Sequence, residues 1–334
     1  MARAPRTTGD FPYRSVSGWG EALVDAGLSA REYADVAVTV DDRVLVLARQ
    51  PSFIAVLDPA GHVLGSFGHG ELSDRPHGVT AAHDGRIYVV DSPAHIVRVF
   101  TGEGRLEGSL GSGEQSDTGV DDSLPVPSWT GTVARAAGPF NHPTKAAAGP
   151  DGTVYVADGY GNARIHRFSP DGELLSSWGR PGVGSGEFKL PHSVTVLRDG
   201  TVIVADREAD RLQLFTPEGD HLETWAAVRR PTAVAERSDG TLVVSELAWR
   251  AGEVSHRRGT LGRGSPARLT LLDRGGGVLG RFGNPPGEAA AGRLSAPHGL
   301  AVDSADDLYV AEVTASFTGR PQSPTLQKFQ RTPA

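Results

Sequence analysis

The sequence predicts an all-β protein, a six-bladed β-propeller closed on itself by its own N-terminal strand. Three observations predict it. An alternating apolar pattern recurs six times, each copy reads as a meander of short strands, and the last copy lacks one strand that the N-terminus can supply. Period-two alternation with valine-rich runs marks strands, and a four-stranded unit of this kind buries its faces only by stacking on its neighbours. No run sustains a 3.6-residue apolar stripe, so a helical reading fails. The 334 residues, with 43 glycines and 23 prolines, suit a turn-rich sheet protein.

From the N-terminus, residues 1–11 read as a flexible tail and residues 12–330 as one propeller domain. Ser15–Gly20 (SVSGWG) matches Leu174–Gly179 (LLSSWG), the outer strand of the third copy, and is expected to complete the last blade. Closure of this kind removes the free sheet edge between first and last blades. Counting fourteen residues back from the end of each second strand gives the anchors Asp35, His77, Thr144, His192, Thr232 and His298, spaced 42, 67, 48, 40 and 66 residues apart. The two long intervals contain insertions, Gly111 to Phe140 and Trp249 to Arg268, most cheaply placed as surface loops. Asp151-Gly152, Asp171-Gly172 and Asp199-Gly200 suit the tight turns between strands. The sixth copy ends with Thr325 to Phe329, its third strand.

Composition narrows the function. Lys plus Arg is 33 against 40 Asp plus Glu, a net charge of -7, which argues against a nucleic-acid surface. There is no cysteine, so neither disulfides nor thiolate ligands enter the chemistry. No run approaches the roughly 18 apolar residues of a membrane span, and Met1 to Tyr13 lacks the apolar centre of a signal peptide. These features point to the cytoplasm, with export requiring a signal beyond this sequence. Oligomeric state is not legible.

Of the 11 histidines, His62, His69, His83, His95, His166 and His221 fall at turns or variable positions and need only surface or structural roles. His77, His192 and His298 differ: each follows proline at one repeat position, in RPHGV, LPHSV and APHGL, on copies two, four and six. Alternate blades of a six-bladed ring are a third of a turn apart, so three imidazoles opening inner strands would converge on the axis. Three neutral imidazoles without cysteine suit zinc or a similar metal and leave a position open for substrate. The bland alternative is a Pro-His pair that only starts a strand. The second strands end beside the anchors, at Arg49, Asp91, Asp158-Gly159-Tyr160, Asp206-Arg207, Glu246 and Glu312. The acids suit backbone N–H groups of neighbouring loops, and Arg49 replaces the acid in the first copy. Arginine there suits a ligand carboxylate, and tyrosine beside a cation suits a base.

At these residues the sequence resembles the peptidyl-α-hydroxyglycine α-amidating lyases of the NHL-repeat superfamily. The likeness is strongest in DGYGNARIHRFSPDGELLSSWG, GEFKLPHSVTVL and VADREADRLQLF, and extends more weakly over nearly the whole chain. The resemblance implies a catalytic zinc on His77, His192 and His298, a catalytic tyrosine at Tyr160, and active-site arginines at Arg207 and Arg49. It implies a lyase that cleaves an N-acyl-α-hydroxyglycine-like carbinolamide, bearing a carboxylate, to an amide and glyoxylate. Animal members carry cysteine where this chain has Gly161, and an aspartate associated with structural calcium where it has Gly299. Structural Ca²⁺ therefore lacks its expected ligand. No copper monooxygenase domain accompanies the propeller in this sequence. Two other readings fit the repeats: a non-enzymatic NHL propeller that binds protein or a small ligand, and a metal-dependent propeller hydrolase.

Overall fold

The structure, a computed structural model, describes residues 6–9, 11–124, 128–283, 292–319 and 325–332. Six antiparallel sheets are arranged as the repeats require. Blade 3 shows the pattern: Lys145–Ala148, Val154–Asp158, Arg164–Phe168 and Leu174–Trp178 pair in chain order from the axis outwards. Second strands are buried throughout, as Val44–Arg49 in blade 1 and Val202–Asp206 in blade 4 illustrate. The outer strands are more exposed, which is why apolar alternation fades towards the end of each copy.

The core is divided among the blade interfaces. Tyr33, Val46, Phe53, Tyr309 and Leu326 join blades 1 and 6, while Ile165, Val194, Val202 and Phe215 join blades 3 and 4. Each sheet thus buries its faces against two neighbours, and the ring has to close for the first and last blades to do the same.

Closure occurs as expected, but in a different register. Tyr13–Val16 pairs antiparallel with Leu326–Arg331 as the outermost strand of blade 6. The match to LLSSWG placed this strand at Ser15–Gly20; instead Gly18 and Gly20, at φ 74° and 90°, turn the chain away. Trp19 then serves as a wedge, buried against Tyr309, with its indole N–H donating to the Pro59 carbonyl at 3.1 Å. Arg6–Gly9, assigned to a tail by sequence, forms a fifth strand on Val278–Gly283 of blade 5. That outer edge offers free backbone groups, which the N-terminal segment takes up.

A bulge recurs where the anchors lie. The register steps by one residue between Pro191 and Ser193, Pro231 and Ala233, Pro297 and Gly299, and Tyr33 and Asp35. The extra residues are His192, Thr232, His298 and Ala34, and a bulged residue is re-aimed out of the ladder. In blade 1 the repeat position is therefore Ala34, one residue before the expected Asp35. The same register makes Ala48 the counterpart of Asp206, because Tyr33 pairs with Ala48 as Pro191 pairs with Asp206. Arg49 accordingly corresponds to Arg207 and does not replace the acid. The two arginines occupy equivalent places on blades 1 and 4, which face each other across the ring.

Candidate metal centre and active site

The acids closing the second strands of blades 2 to 6 are structural. Asp91, Asp158, Asp206, Glu246 and Glu312 are fully buried. Each accepts backbone N–H groups from the loop entering its own blade: Ser73, Asn141, Lys189 with Leu190, Arg229, and Ser295 with Ala296. These bonds fix the loops that deliver the anchor residues.

His77, His192 and His298 do converge. They are 4 %, 1 % and 5 % exposed, and their candidate ligand atoms lie within 4.8 Å of one another. Each Nδ1 bonds to a carbonyl of the next blade: His77 to Thr144 at 2.6 Å, His192 to Thr232 at 2.8 Å, and His298 to Ala34 at 2.8 Å. A carbonyl only accepts, so these bonds assign the proton to Nδ1 and leave each Nε2 with a bare lone pair. The ring is locked in the other direction too. Thr144 and Thr232 donate to the carbonyls of Pro191 and Pro297, and Arg49 Nε donates to that of Pro76 at 2.7 Å. Each donor thus holds the proline immediately before a histidine.

The donor set fits a divalent metal ion. His192 Nε2 and His298 Nε2 stand 3.0 Å apart, and two bare lone pairs at that distance repel unless a cation lies between them. Burial holds all three imidazoles well below the usual histidine pKa, followed for His77 and His192 by the effect of neighbouring histidines and for His298 by Arg49. They are therefore neutral, as metal ligation requires, and their Nδ1–carbonyl bonds supply the usual orienting partners.

Tyr160 joins this centre. Its hydroxyl lies 3.0 Å from His77 Nε2 and accepts from Arg207 at 3.3 Å, while the Arg207 guanidinium sits 5.5 Å from its ring centre. Glycines on both sides make this position. A Cβ at Gly159 would lie 2.1 Å from the Pro191 carbonyl oxygen, and one at Gly161 1.9 Å from Asn141 Oδ1. The backbone carrying Tyr160 is thereby pressed against the strand that carries His192.

The arginines are buried and fixed by acids. Arg207 Nε donates to Glu208 at 2.8 Å, and Arg49 donates to Glu32 at 3.2 Å. Burial opposes the charge on Arg207, yet Tyr160 and Glu208 beside it raise its pKa overall. Each guanidinium keeps one terminal amino group without a hydrogen bond to the described residues. His77, His298, Tyr160 and both arginines border one cavity of about 900 Å³, and His192 stands behind them, its Nε2 3.0 Å from that of His298.

The insertions are largely exposed, as surface loops would be, and they also wall this cavity. The first contributes Trp129, whose ring lies near-parallel to Tyr160 at 6.2 Å, and the second contributes Arg250 and Glu253. His142 and Arg230 also border it, at φ 53° and 47°, and neither was singled out from the sequence. Both precede Pro-Thr, in HPT and RPT of blades 3 and 5, a shared pattern that could have marked them. Among the other histidines, His166 is fully buried and bonds Asp158 and Ser177, a structural role well inside blade 3.

Comparison with known proteins bears on this site. The NHL repeat model matches residues 140–168. A peptidyl-glycine alpha-amidating monooxygenase of Xenopus laevis is 36% identical over 179 residues, covering 50% of this chain and 18% of that protein. A Caenorhabditis elegans protein named "Probable peptidyl-alpha-hydroxyglycine alpha-amidating lyase" is 31% identical over 173 residues, covering 50% of this chain and 45% of its own length. The matched region thus spans less than half of either relative. A streptogramin B lyase structure shares the fold, with a TM-score of 0.55 at 14% identity over 98% of both chains.

Proposed function

We propose, from a six-bladed NHL-repeat propeller related over half its length to peptidyl-α-hydroxyglycine α-amidating lyases, that this protein is a zinc-dependent carbon–nitrogen lyase. Its substrate is an N-acyl-α-hydroxyglycine or a like carbinolamide with a carboxylate, and its products are an amide and glyoxylate. One observation carries the reading: the Tyr160 hydroxyl lies between His77 Nε2 and Arg207, at the edge of three converging imidazoles. A structural tyrosine would need no such placement.

Zinc on His77, His192 and His298 would supply Lewis-acid polarisation of the substrate hydroxyl oxygen. Tyr160, whose oxygen is held by the Arg207 donor, accepts the hydroxyl proton as general base. The O–H electrons form the new C=O bond, the C–N electrons pass to nitrogen, and nitrogen takes up a proton from Tyr160 or water. Arg49 and Arg207 offer their remaining amino groups to the substrate carboxylate, with Glu32 and Glu208 fixing both guanidinium planes. The wall formed by Trp129 and its neighbours faces the acyl group.

The test is glyoxylate release from α-hydroxyhippurate by zinc-loaded protein, with metal content measured on the same sample. Equal amounts of glyoxylate and benzamide are expected. Stoichiometric metal without turnover of any α-hydroxyglycine derivative would overturn the lyase reading. Absence of both would favour a ligand-binding propeller.

A further inference from the structure

Beneath the metal centre the inner strands of blades 1, 2 and 3 build a second charged station that the lyase chemistry does not use. Lys145, on the first strand of blade 3, reaches across blade 2 to Asp35 of blade 1. Its ammonium makes a short ion pair with Asp35 Oδ2 and donates to the Val79 carbonyl at 2.7 Å. Asp35 Oδ2 also accepts the Val79 N–H at 2.8 Å, so the carboxylate is held from two sides. The lysine side chain is 18% exposed and the carboxylate 4%.

Two glycines leave room for this arrangement. A Cβ at Gly78 would lie 3.1 Å from Lys145 Cδ and 2.8 Å from the Thr144 carbonyl oxygen. A Cβ at Gly299, the residue after the third histidine, would lie 2.4 Å from Asp35 Oδ1 and 2.5 Å from its Cα. An aspartate at 299 would therefore be driven into the carboxylate that Lys145 neutralises. The residues present do not fit a calcium ion there, because the cation position is already taken by the chain.

We propose that the Lys145 ammonium is the built-in cation of the channel, and that Asp35 and the Val79 carbonyl form a latent divalent-cation site which it keeps closed. A carboxylate and a carbonyl oxygen are hard donors of the kind calcium takes, with water completing its six to eight ligands. The proposal is independent of the lyase reading, since it concerns a station that touches no reacting group.

The experiment compares thermal unfolding of zinc-loaded protein with and without saturating calcium chloride, for wild type, Lys145→Met, and Lys145→Met combined with Asp35→Asn. Wild type should bind no calcium by elemental analysis and show no change in Tm. Lys145→Met, with a buried carboxylate left unpaired, should melt lower and regain about 5 °C on calcium addition, as a ligand bound only to the native state would give. The double variant should lose that response. Calcium retained by the wild type, or a wild-type Tm that rises with calcium, would overturn the proposal even if Lys145→Met failed to fold. A folded Lys145→Met protein indifferent to calcium would overturn it as well.

Discussion

Tyr160 is positioned by its backbone as much as by its hydroxyl, which makes its substitution informative. Phenylalanine preserves the ring against Trp129 and Arg207 and removes only the oxygen shared with His77 and Arg207. Under the proposed chemistry Tyr160→Phe keeps metal content and Tm and loses about 10²–10⁴-fold in kcat, or roughly 2.7–5.4 kcal/mol of transition-state stabilisation. Equal single-turnover rates of glyoxylate release at equal zinc would remove Tyr160 from the mechanism. The histidines predict a different outcome. Replacing His77, His192 and His298 together by alanine should abolish stoichiometric metal binding, measured by elemental analysis after dialysis. It also strips the carbonyls of Thr144, Thr232 and Ala34 of their donors, at about 1–3 kcal/mol for each buried group left unpaired. Retained metal in that variant would place the ion elsewhere.

At the scale of the blade, the acid ending each second strand has partners that vary around the ring. Asp91, Asp206 and Glu246 pair with Arg98, Arg211 and Arg268 of their third strands, whereas Glu312 has Gln327. Without a cation, burial pushes the Glu312 carboxyl up to about 7, despite the N–H groups of Ala296 and Ser295 and the Gln327 amide. The sign follows. Between the ordinary glutamate range and pH 7 the folded protein holds a proton that the unfolded chain releases. Stability from this group is therefore full in acid and lost as pH rises through about 7, by at most about 3 kcal/mol. Chemical denaturation of wild type and Glu312→Gln at pH 5 and pH 8 should show that extra loss in wild type only. Parallel profiles would mean that Glu312 is ionised in the fold.

At the scale of the whole ring, closure rests on one short strand and one wedge. Tyr13–Val16 covers the edge of Leu326–Arg331, and Trp19 fills the seam between blades 1 and 6. Trp19→Ala should cost roughly 3–5 kcal/mol, the range for removing a large buried aromatic. Deleting residues 1–20 should lower Tm further, because it also leaves the Leu326–Arg331 edge unpaired. Unchanged unfolding of both variants would show that the ring is held without its N-terminus. The ring also explains why a single site arises from six similar units. Three alternate blades contribute histidine, two contribute threonine at the same repeat position, and blade 1 contributes alanine there with Arg49 nearby.

The sequence by itself determined the blade count, the strand order, the closing role of the N-terminus and the convergence of His77, His192 and His298. These follow from periodicity, which is local and repeats often enough to be read six times. It also marked Tyr160 and Arg207 as departures from the repeat, since neighbouring copies carry other residues at those places. Tertiary structure alone decided the rest. The bulge that moves the blade 1 anchor from Asp35 to Ala34, and Arg49 into register with Arg207, leaves no mark in a count of residues. Pairing partners define it, and they lie on another strand. The walls of the cavity are likewise set by where two irregular insertions fold back, as Trp129 and Glu253 show. The Lys145–Asp35 pair joins residues 110 positions apart whose meeting depends on blades 1, 2 and 3 packing side by side. Periodicity encodes the frame, and contacts between distant segments, which no period records, shape what the frame encloses.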